Sequence, residues 1–557
     1  MTRRGHIRFL KRRPVMQLRT RAIIAGVLLC IFFSFHTGFS AEYFVTNTLD
    51  AGTGSLREAI NLANSNPGPD LIGFNITQDD PNFDADRGVW TIQPISRIPV
   101  VTDSGLVING VTQRDFIGED TNPAGPEIEL DGSLLTSGNG LHIRATTRVQ
   151  VLHVTINRFP HMGIYLSGAD YCVIAGCYLG VNYNGMQAAG NQFGIFADDT
   201  SSHNSIVPFE MIPNIVSGNP WGGIKLQFGC TENVISGNYI GVNRTATDTL
   251  GNGLIGGYAG IEIDDGSTHN EVVDNLICGN ADGIGLWDAW DNFFTNNHIG
   301  TDRNWTLNLG NVHSGISIRA IDDSTRLNHI VDNDIGYNYK FGIFLEGPLV
   351  LHNSFKMNRI SGNYEGGILL ASQSNEGITA PVLAVGTANT INGTAIPLSE
   401  VELFTDAGNQ GRIFLGEVMS DASGAFVFSL SGLSLLDSVT ATVTDSKGNT
   451  SMFSTPYAVS TSVKSRSFLP GDFELQKNSP NPFNPETTIR FRVHRPGSAQ
   501  LVIYDLKGHR IQTLIDEVLS GGEHQIRWKP EKLESGIYIG CLQMHDSCRN
   551  IRLVYLK

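Results

Sequence analysis

Apolar residues in the middle of this chain recur in a fixed apolar–polar–apolar triplet behind the dipeptide Gly-Ile. The dipeptide stands at 163, 194, 223, 260, 283, 315, 342 and 367 and opens segments such as Ile224-Lys225-Leu226, Ile261-Glu262-Ile263 and Ile316-Ser317-Ile318. Alternation of period two predicts short strands whose outer residues enter a core while the middle residue faces out. A second short strand follows, as in Asn233-Val234-Ile235 and Asn292-Phe293-Phe294, and then a third, as in Asn238-Tyr239-Ile240 and Asn297-His298-Ile299. Three short strands per coil of roughly 22 residues describe an all-β solenoid, a right-handed parallel β-helix. Glycine is expected to supply φ > 0 corners. Asn233, Asn270 and Asn292, each ahead of a second strand, are expected to stack as a side-chain amide ladder.

Three loops of one design interrupt the coils, at Gly180–Asn191, Gly241–Asn252 and Gly300–Asn311. Each runs ten positions from first to last Gly, and their starts lie 61 and 59 residues apart. They are predicted on every second coil, about 10 Å apart along one side of a rod. Their centres differ: Tyr183, Arg244 and Arg303, the last close to Trp305.

Ahead of the coils, Ser55 and Glu58 form a capping box, and Leu56, Ala59, Ile60 and Ala63 follow at helical spacing. This predicts a lone amphipathic helix that covers the open end of the solenoid. Further upstream, eight basic residues precede the apolar run Ala22–Phe35, and small residues follow at Gly38 and Ser40. That order predicts a secretory leader over 1–40. The alternative is a membrane anchor, for which a run of 14 residues is short of the usual ~20. The mature chain is expected to carry no membrane span.

The pattern changes after Gly377. Val401-Glu402-Leu403-Phe404 and Ala425–Leu430 alternate between turn signals at Asp421–Gly424 and Asp445–Asn449. Residues 378–460 therefore read as a small Ig-like β-sandwich, 461–471 as a polar linker, and 472–557 as a second Ig-like sandwich. The solenoid with its cap occupies 41–377.

Composition narrows the partners. Gly is 62 of 557 residues and charged residues make up 17% of the chain, a balance that suits turn-rich β structure rather than disorder. Removing the eight leader charges takes the net charge from −15 to −23. An acidic surface argues against nucleic acid, and a polyanion would require a bridging cation such as Ca²⁺. Cys172, Cys177, Cys230 and Cys278 lie in the coils without metal-site spacing and read as buried core residues. Cys541 and Cys548 are placed to close a hairpin.

Ser55–Ile60 resembles the CSLREA motif, with Gly54 where that motif has Cys. Ile108–Gln113, Glu129–Ser133 and the Asn-x-Ile-Gly loops resemble secreted right-handed β-helix repeat proteins, a pectate-lyase-like fold that hosts lyases, hydrolases, epimerases and adhesins. Asn478–Pro485, Val502–Gly508, Gly522-Glu523-His524, Trp528 and Ser535–Tyr538 resemble the type A C-terminal sorting domain of the type IX secretion system, a FlgD-like Ig fold. That resemblance implies export across a Gram-negative outer membrane, with the secretion machinery as partner and the cell surface or medium as destination.

Chemistry is harder to find. Acidic pairs recur at Asp198-Asp199, Asp264-Asp265 and Asp322-Asp323, and Asp288 lies in Trp287-Asp288-Ala289-Trp290. Asp264, Asp265, Asp288, Asp322 and Asp323 are candidate carboxylates for glycoside cleavage or Ca²⁺; solvated turns explain the same pattern. Polygalacturonases resemble one another in Asp-Asp, Gly-His-Gly and Arg-Ile-Lys, of which only Asp-Asp occurs. Pectate lyases place a catalytic Arg or Lys beside Ca²⁺-binding Asp residues, and the sequence shows no clear counterpart. Tyr183, Arg244, Trp287, Trp290, Arg303 and Trp305 are candidates for stacking on sugars. Two functions fit: a non-catalytic adhesive or glycan-contacting rod, and a polysaccharide lyase or glycoside hydrolase.

Overall fold

The computed structural model describes residues 38–385, 390–405, 410–430, 438–458, 473–476, 478–493, 497–504, 510–530, 533, 535–544 and 547–555. Almost all of the expected leader, 1–40, and the expected linker, 461–471, lie outside them. The chain divides into two compact units, Met1–Val459 and Ser460–Lys557.

The first unit is a three-faced solenoid. Face 1 has eleven strands, from Glu42–Val45 to Ser354–Lys356; face 2 has eleven, from Phe83–Asp84 to Arg359–Ser361; face 3 has nine, from Leu141–Arg144 to Gly366–Ala371. Strands pair in parallel from coil to coil, apart from an antiparallel hairpin between Phe83–Asp84 and Val89–Ile92. The Gly-Ile triplets build face 3. Ile164, Ile195, Ile224, Ile261, Ile284, Ile316, Ile343 and Ile368 stand in register as one buried column. Each isoleucine contributes about 1.5–3 kcal/mol by leaving water.

The glycine before each isoleucine serves close approach rather than the expected positive φ. A Cβ on Gly223 would lie 2.3 Å from the Gly260 carbonyl oxygen of the next coil, and one on Gly283 would lie 2.5 Å from that of Gly315. The expected positive φ falls on other corner glycines, among them Gly176, Gly237, Gly266 and Gly279, and on the loop-opening Gly180, Gly241 and Gly300, at 65–88°. Other tight corners use non-glycine residues, among them His153, Asp274 and Asn296.

The expected amide ladder exists, and all three corners have one. Asn204, Asn233, Asn270, Asn292, Asn328 and Asn353 run between faces 3 and 1, each side-chain amide donating to the next Oδ1 at 2.9–3.1 Å. Asn214, Asn238, Asn275, Asn297, Asn333 and Asn358 do the same between faces 1 and 2. Asn219, Asn252, Asn280, Asn311, Asn338 and Asn363 do so between faces 2 and 3. These amides satisfy backbone groups that a buried turn would otherwise orphan.

Both ends of the solenoid are covered. Helix α1 (Leu56–Ser65) packs Leu56, Ala59, Ile60 and Ala63 onto the first coils. Ser55 Oγ accepts from Glu58 N, and Glu58 Oε2 accepts from Gly54 N at 2.6 Å. Arg57 ties the helix to Asp50, Ser96 and Arg97. A second short helix, α2 (Val111–Ile117), follows the third strand of face 1.

At the far end, strands Val382–Val385, Thr390–Thr394 and Ala425–Ser429 face a four-stranded sheet running from Glu400–Thr405 to Tyr457–Ala458. This sandwich joins the solenoid in one compact unit. Phe404 and Phe453 enter the solenoid core, Gln410 Oε1 continues an amide ladder by accepting from Asn363, and Met357 N donates to Glu402.

The second unit is a sandwich of three- and four-stranded antiparallel sheets around Phe483, Phe491, Leu501, Trp528 and Leu553. Its Cys541 is disulfide-bonded. Among the described residues no helix is long and apolar enough to cross a membrane.

Candidate functional site

Face 3 presents one outward residue per coil in a straight row: His142, Tyr165, Phe196, Lys225, Glu262, Gly285, Ser317 and Phe344. Its charged centre is an ion triad. Lys225 Nζ lies 2.6 Å from Glu262 Oε1 and 2.8 Å from Asp264 Oδ2, with exposures of 5%, 0% and 8% for the three residues. Tyr258 covers the ammonium, its ring centroid 4.5 Å from Nζ, and Ala259 N donates to Glu262 Oε2. Burial pushes the Glu262 carboxyl up to about 7 against the pull of Lys225. Lys225 is raised despite burial, through Glu262 and Asp264.

Beside the triad, Tyr165 Oη donates to Asp198 Oδ2 at 2.8 Å, and its ring stacks on His142 at 4.5 Å. Lys225 and Glu262 are 37 residues apart, so no local motif announces their pairing. The available signal was two opposite charges at the middle position of consecutive triplets.

The candidate carboxylates do not converge on an open cleft. Asp264 is held by Lys225, and Asp265 stands exposed in the following turn at φ 46°. Asp288 braces a turn, its two oxygens accepting from Ile321 N and Asp322 N. Asp322 and Asp323 are exposed, and Asp323 accepts from Ser324 N.

The loops do fall on alternate coils, after Tyr178–Leu179, Tyr239–Ile240 and His298–Ile299. Each closes as a small hairpin, bridged at Val181/Ala188, Val242/Thr249 and Thr301/Asn308. The third residue of each organises it: Asn182, Asn243 and Asp302 accept backbone N–H groups four and five positions on.

Most of the candidate stacking residues already have partners within the protein. Arg87 lies over Tyr183, Arg326 over Trp290 and Arg359 over Trp305, at 5.2, 4.7 and 4.1 Å from the ring centroids. Arg244 Nε donates to Asn184 O, joining the second loop to the first, and Arg303 donates to Asp274 O. Trp287 is half-buried on face 3 between Asp264 and Arg319.

The residues present do not fit Ca²⁺. Asp264 Oδ2 is committed to Lys225 and both Asp288 oxygens to backbone N–H groups, while Asp265, Asp322 and Asp323 stand exposed and apart from them. Among the described residues one group of three or more candidate ligands exists, Glu400, Glu402 and Glu417. There Lys356 pairs with Glu400 at 2.9 Å, Met357 N donates to both Glu402 oxygens, and burial pushes Glu402 up to about 8. Cys172, Cys177, Cys230 and Cys278 are buried and free, their thiols pushed up to about 12 by burial.

A family model described as right handed beta helix region matches residues 116–277. The solenoid is a right-handed β-helix. A second model, that of the periplasmic copper-binding protein NosD, matches residues 227–377 of the β-helix. Among the described residues, that stretch contains no group of three candidate metal ligands.

Solved structures similar to the chain include the A-module of the mannuronan C-5 epimerase AlgE6 from Azotobacter vinelandii, at 14% identity and TM-score 0.38 over 59% of this chain and 96% of that one. PfbA, a surface adhesin of Streptococcus pneumoniae, is similar at 10% identity and TM-score 0.34 over 72% and 94%. An alginate lyase from a Paenibacillus species is similar at 12% identity and TM-score 0.26 over 60% and 99%. Among curated proteins, none matches the chain.

Proposed function

We propose that the protein is an exported, non-catalytic β-helix rod whose surface contacts glycans. The observation that carries this reading is the contrast between acids and aromatics. The candidate catalytic carboxylates brace the fold or stand in solvated turns, while Trp221, Tyr339 and Tyr364 stand open on one edge of the β-helix. A glycosidase needs two carboxyl groups flanking one open bond-cleavage position; a contact surface needs exposed flat rings and hydrogen-bonding rims. The basic leader and the C-terminal motifs support export through the type IX machinery to the surface of a Gram-negative bacterium.

One observation favours the second reading, a polysaccharide lyase or hydrolase: Lys225 lies between two carboxylates on face 3, and Glu262 is poised near neutrality. The test incubates the full chain with neutral and acidic polysaccharides, with and without Ca²⁺, and follows both binding and new chain ends. Binding without product supports the rod. Product that disappears in Lys225→Ala and Glu262→Gln establishes the enzyme.

A further inference from the structure

Between faces 2 and 3 the amide ladder fixes not only the corner but also the residue that follows it. Gly253, Ala281, Val312, Tyr339 and Tyr364 each directly follow a ladder asparagine. Each donates its N–H to the carbonyl of the ladder asparagine one coil back, at 2.8–3.0 Å. These positions therefore repeat at the coil spacing, about 4.8 Å.

In the last three coils they carry Val312, Tyr339 and Tyr364, at 48%, 66% and 77% exposure. The two tyrosine rings are parallel to within 8°, with centroids 5.2 Å apart. Beside them an open depression of about 330 Å³ is lined by Asn308, Gly310, Asn311, Val312, Tyr337 and Tyr339. The flanking row His313, Lys340 and Glu365, in register through successive backbone bonds, is mixed in charge. Further along the same edge Trp221 stacks on Tyr258 at 6.2 Å and 17°, next to the exposed Leu254 and Ile255.

Such an edge suits one kind of occupant. Repetition along the axis calls for an extended polymer. The ring faces left free by the Tyr339–Tyr364 stack, bordered by amides and charged tips, match a ring with an apolar C–H face and a hydroxyl rim. A chain of net charge −15, with no cationic run along the edge, disfavours a polyanion.

We infer that Val312, Tyr339 and Tyr364, with the adjoining depression, form a subsite for pyranose rings of a neutral polysaccharide lying along the β-helix axis. This subsite rests on the glycan-contacting reading and gives it a place and a ligand class.

The experiment measures binding of the full chain to cellohexaose, laminarihexaose, mannohexaose and oligogalacturonate by calorimetry, alongside its mass in solution. The expected result is binding of a neutral hexasaccharide over oligogalacturonate. The double variant Tyr339→Ala/Tyr364→Ala should weaken it roughly tenfold or more, and Tyr339→Phe/Tyr364→Phe should keep it within about threefold. Unchanged thermal melting of both variants would show that the fold is intact, and Phe228→Ala, exposed elsewhere, should have no effect. Neutral-sugar binding that the alanine pair leaves intact overturns the subsite but not the glycan reading. Binding of no sugar overturns both. Preference for oligogalacturonate, or a dimer that the alanine pair dissociates, overturns the assigned occupant.

Discussion

Replacing Lys225 by Met leaves two carboxylates facing each other under Tyr258 with no cation between them. Glu262 is fully buried and Asp264 is 8% exposed, and both lie within 2.8 Å of the lost ammonium. Removing one partner of a buried ionic group costs about 3–5 kcal/mol. At 1.36 kcal/mol per decade, that is roughly two to four decades in the local opening equilibrium.

The cost must depend on pH, because Glu262 is already pushed up to about 7 with Lys225 present and rises further without it. At pH 8 the variant must either ionise Glu262 beside Asp264 or take up a proton to avoid it, and both cost free energy; at pH 5.5 Glu262 is protonated with or without Lys225, and that part of the penalty disappears. Native-state hydrogen exchange on the amides of Gly222–Leu226 and Ile261–Asp264 reads this directly. The expected result is a large loss of protection at pH 8, a much smaller one at pH 5.5, and near-recovery in Lys225→Met/Glu262→Gln/Asp264→Asn. Protection within tenfold of the parent at pH 8, or an equal loss at both pH values, would refute the reasoning.

Stability of the first unit should fall by about 3 kcal/mol between pH 6.5 and 8.5. Glu127 and Glu262, raised to about 7, and Glu402, raised to about 8, stabilise while protonated, and that contribution is lost as pH rises through those values. His153, lowered to about 4, acts oppositely below pH 6.5, but one group against three leaves denaturation midpoints still rising as pH falls from 8.5 to about 5. Asn280→Ala orphans buried groups around Asn252, Ile240, Cys278 and Asn311 and should cost roughly 2–4 kcal/mol in urea unfolding, against less than about 1 kcal/mol for the exposed Asn308→Ala. Cys172, Cys177, Cys230 and Cys278 should resist alkylation at pH 8 in the native chain and react fully in guanidinium, as mass spectrometry would show.

Regularity made the solenoid legible. The Gly-Ile triplets and the asparagines ahead of Val234 and Phe293 repeat in sequence because the coils repeat in space, so period alone placed face 3 and one ladder. The role of the glycines was less legible: Gly223 looks like a corner residue until the Gly260 carbonyl is seen 2.3 Å from its missing Cβ.

On the surface, local bonding and bonding between coils leave different traces in the sequence. Asn182, Asn243 and Asp302 shape their loops with bonds to residues four and five positions on. Arg359 over Trp305 and Arg326 over Trp290 join separate coils, which is why these tryptophans look free in the sequence and are covered in the fold. Lys225 gives no local signal because its partners lie one coil away, although it shares its register with Glu262. Tyr339 and Tyr364 carried a usable signal, since each directly follows a ladder asparagine.

One measurement bears most directly on the glycan-contacting rod: co-sedimentation of the full chain with insoluble neutral polysaccharide, with reducing ends and unsaturated ends assayed in the same tubes. The account predicts that the chain pellets with the polymer and that neither kind of end rises above the blank. New ends that accumulate with time, and that vanish in Lys225→Ala, would contradict it.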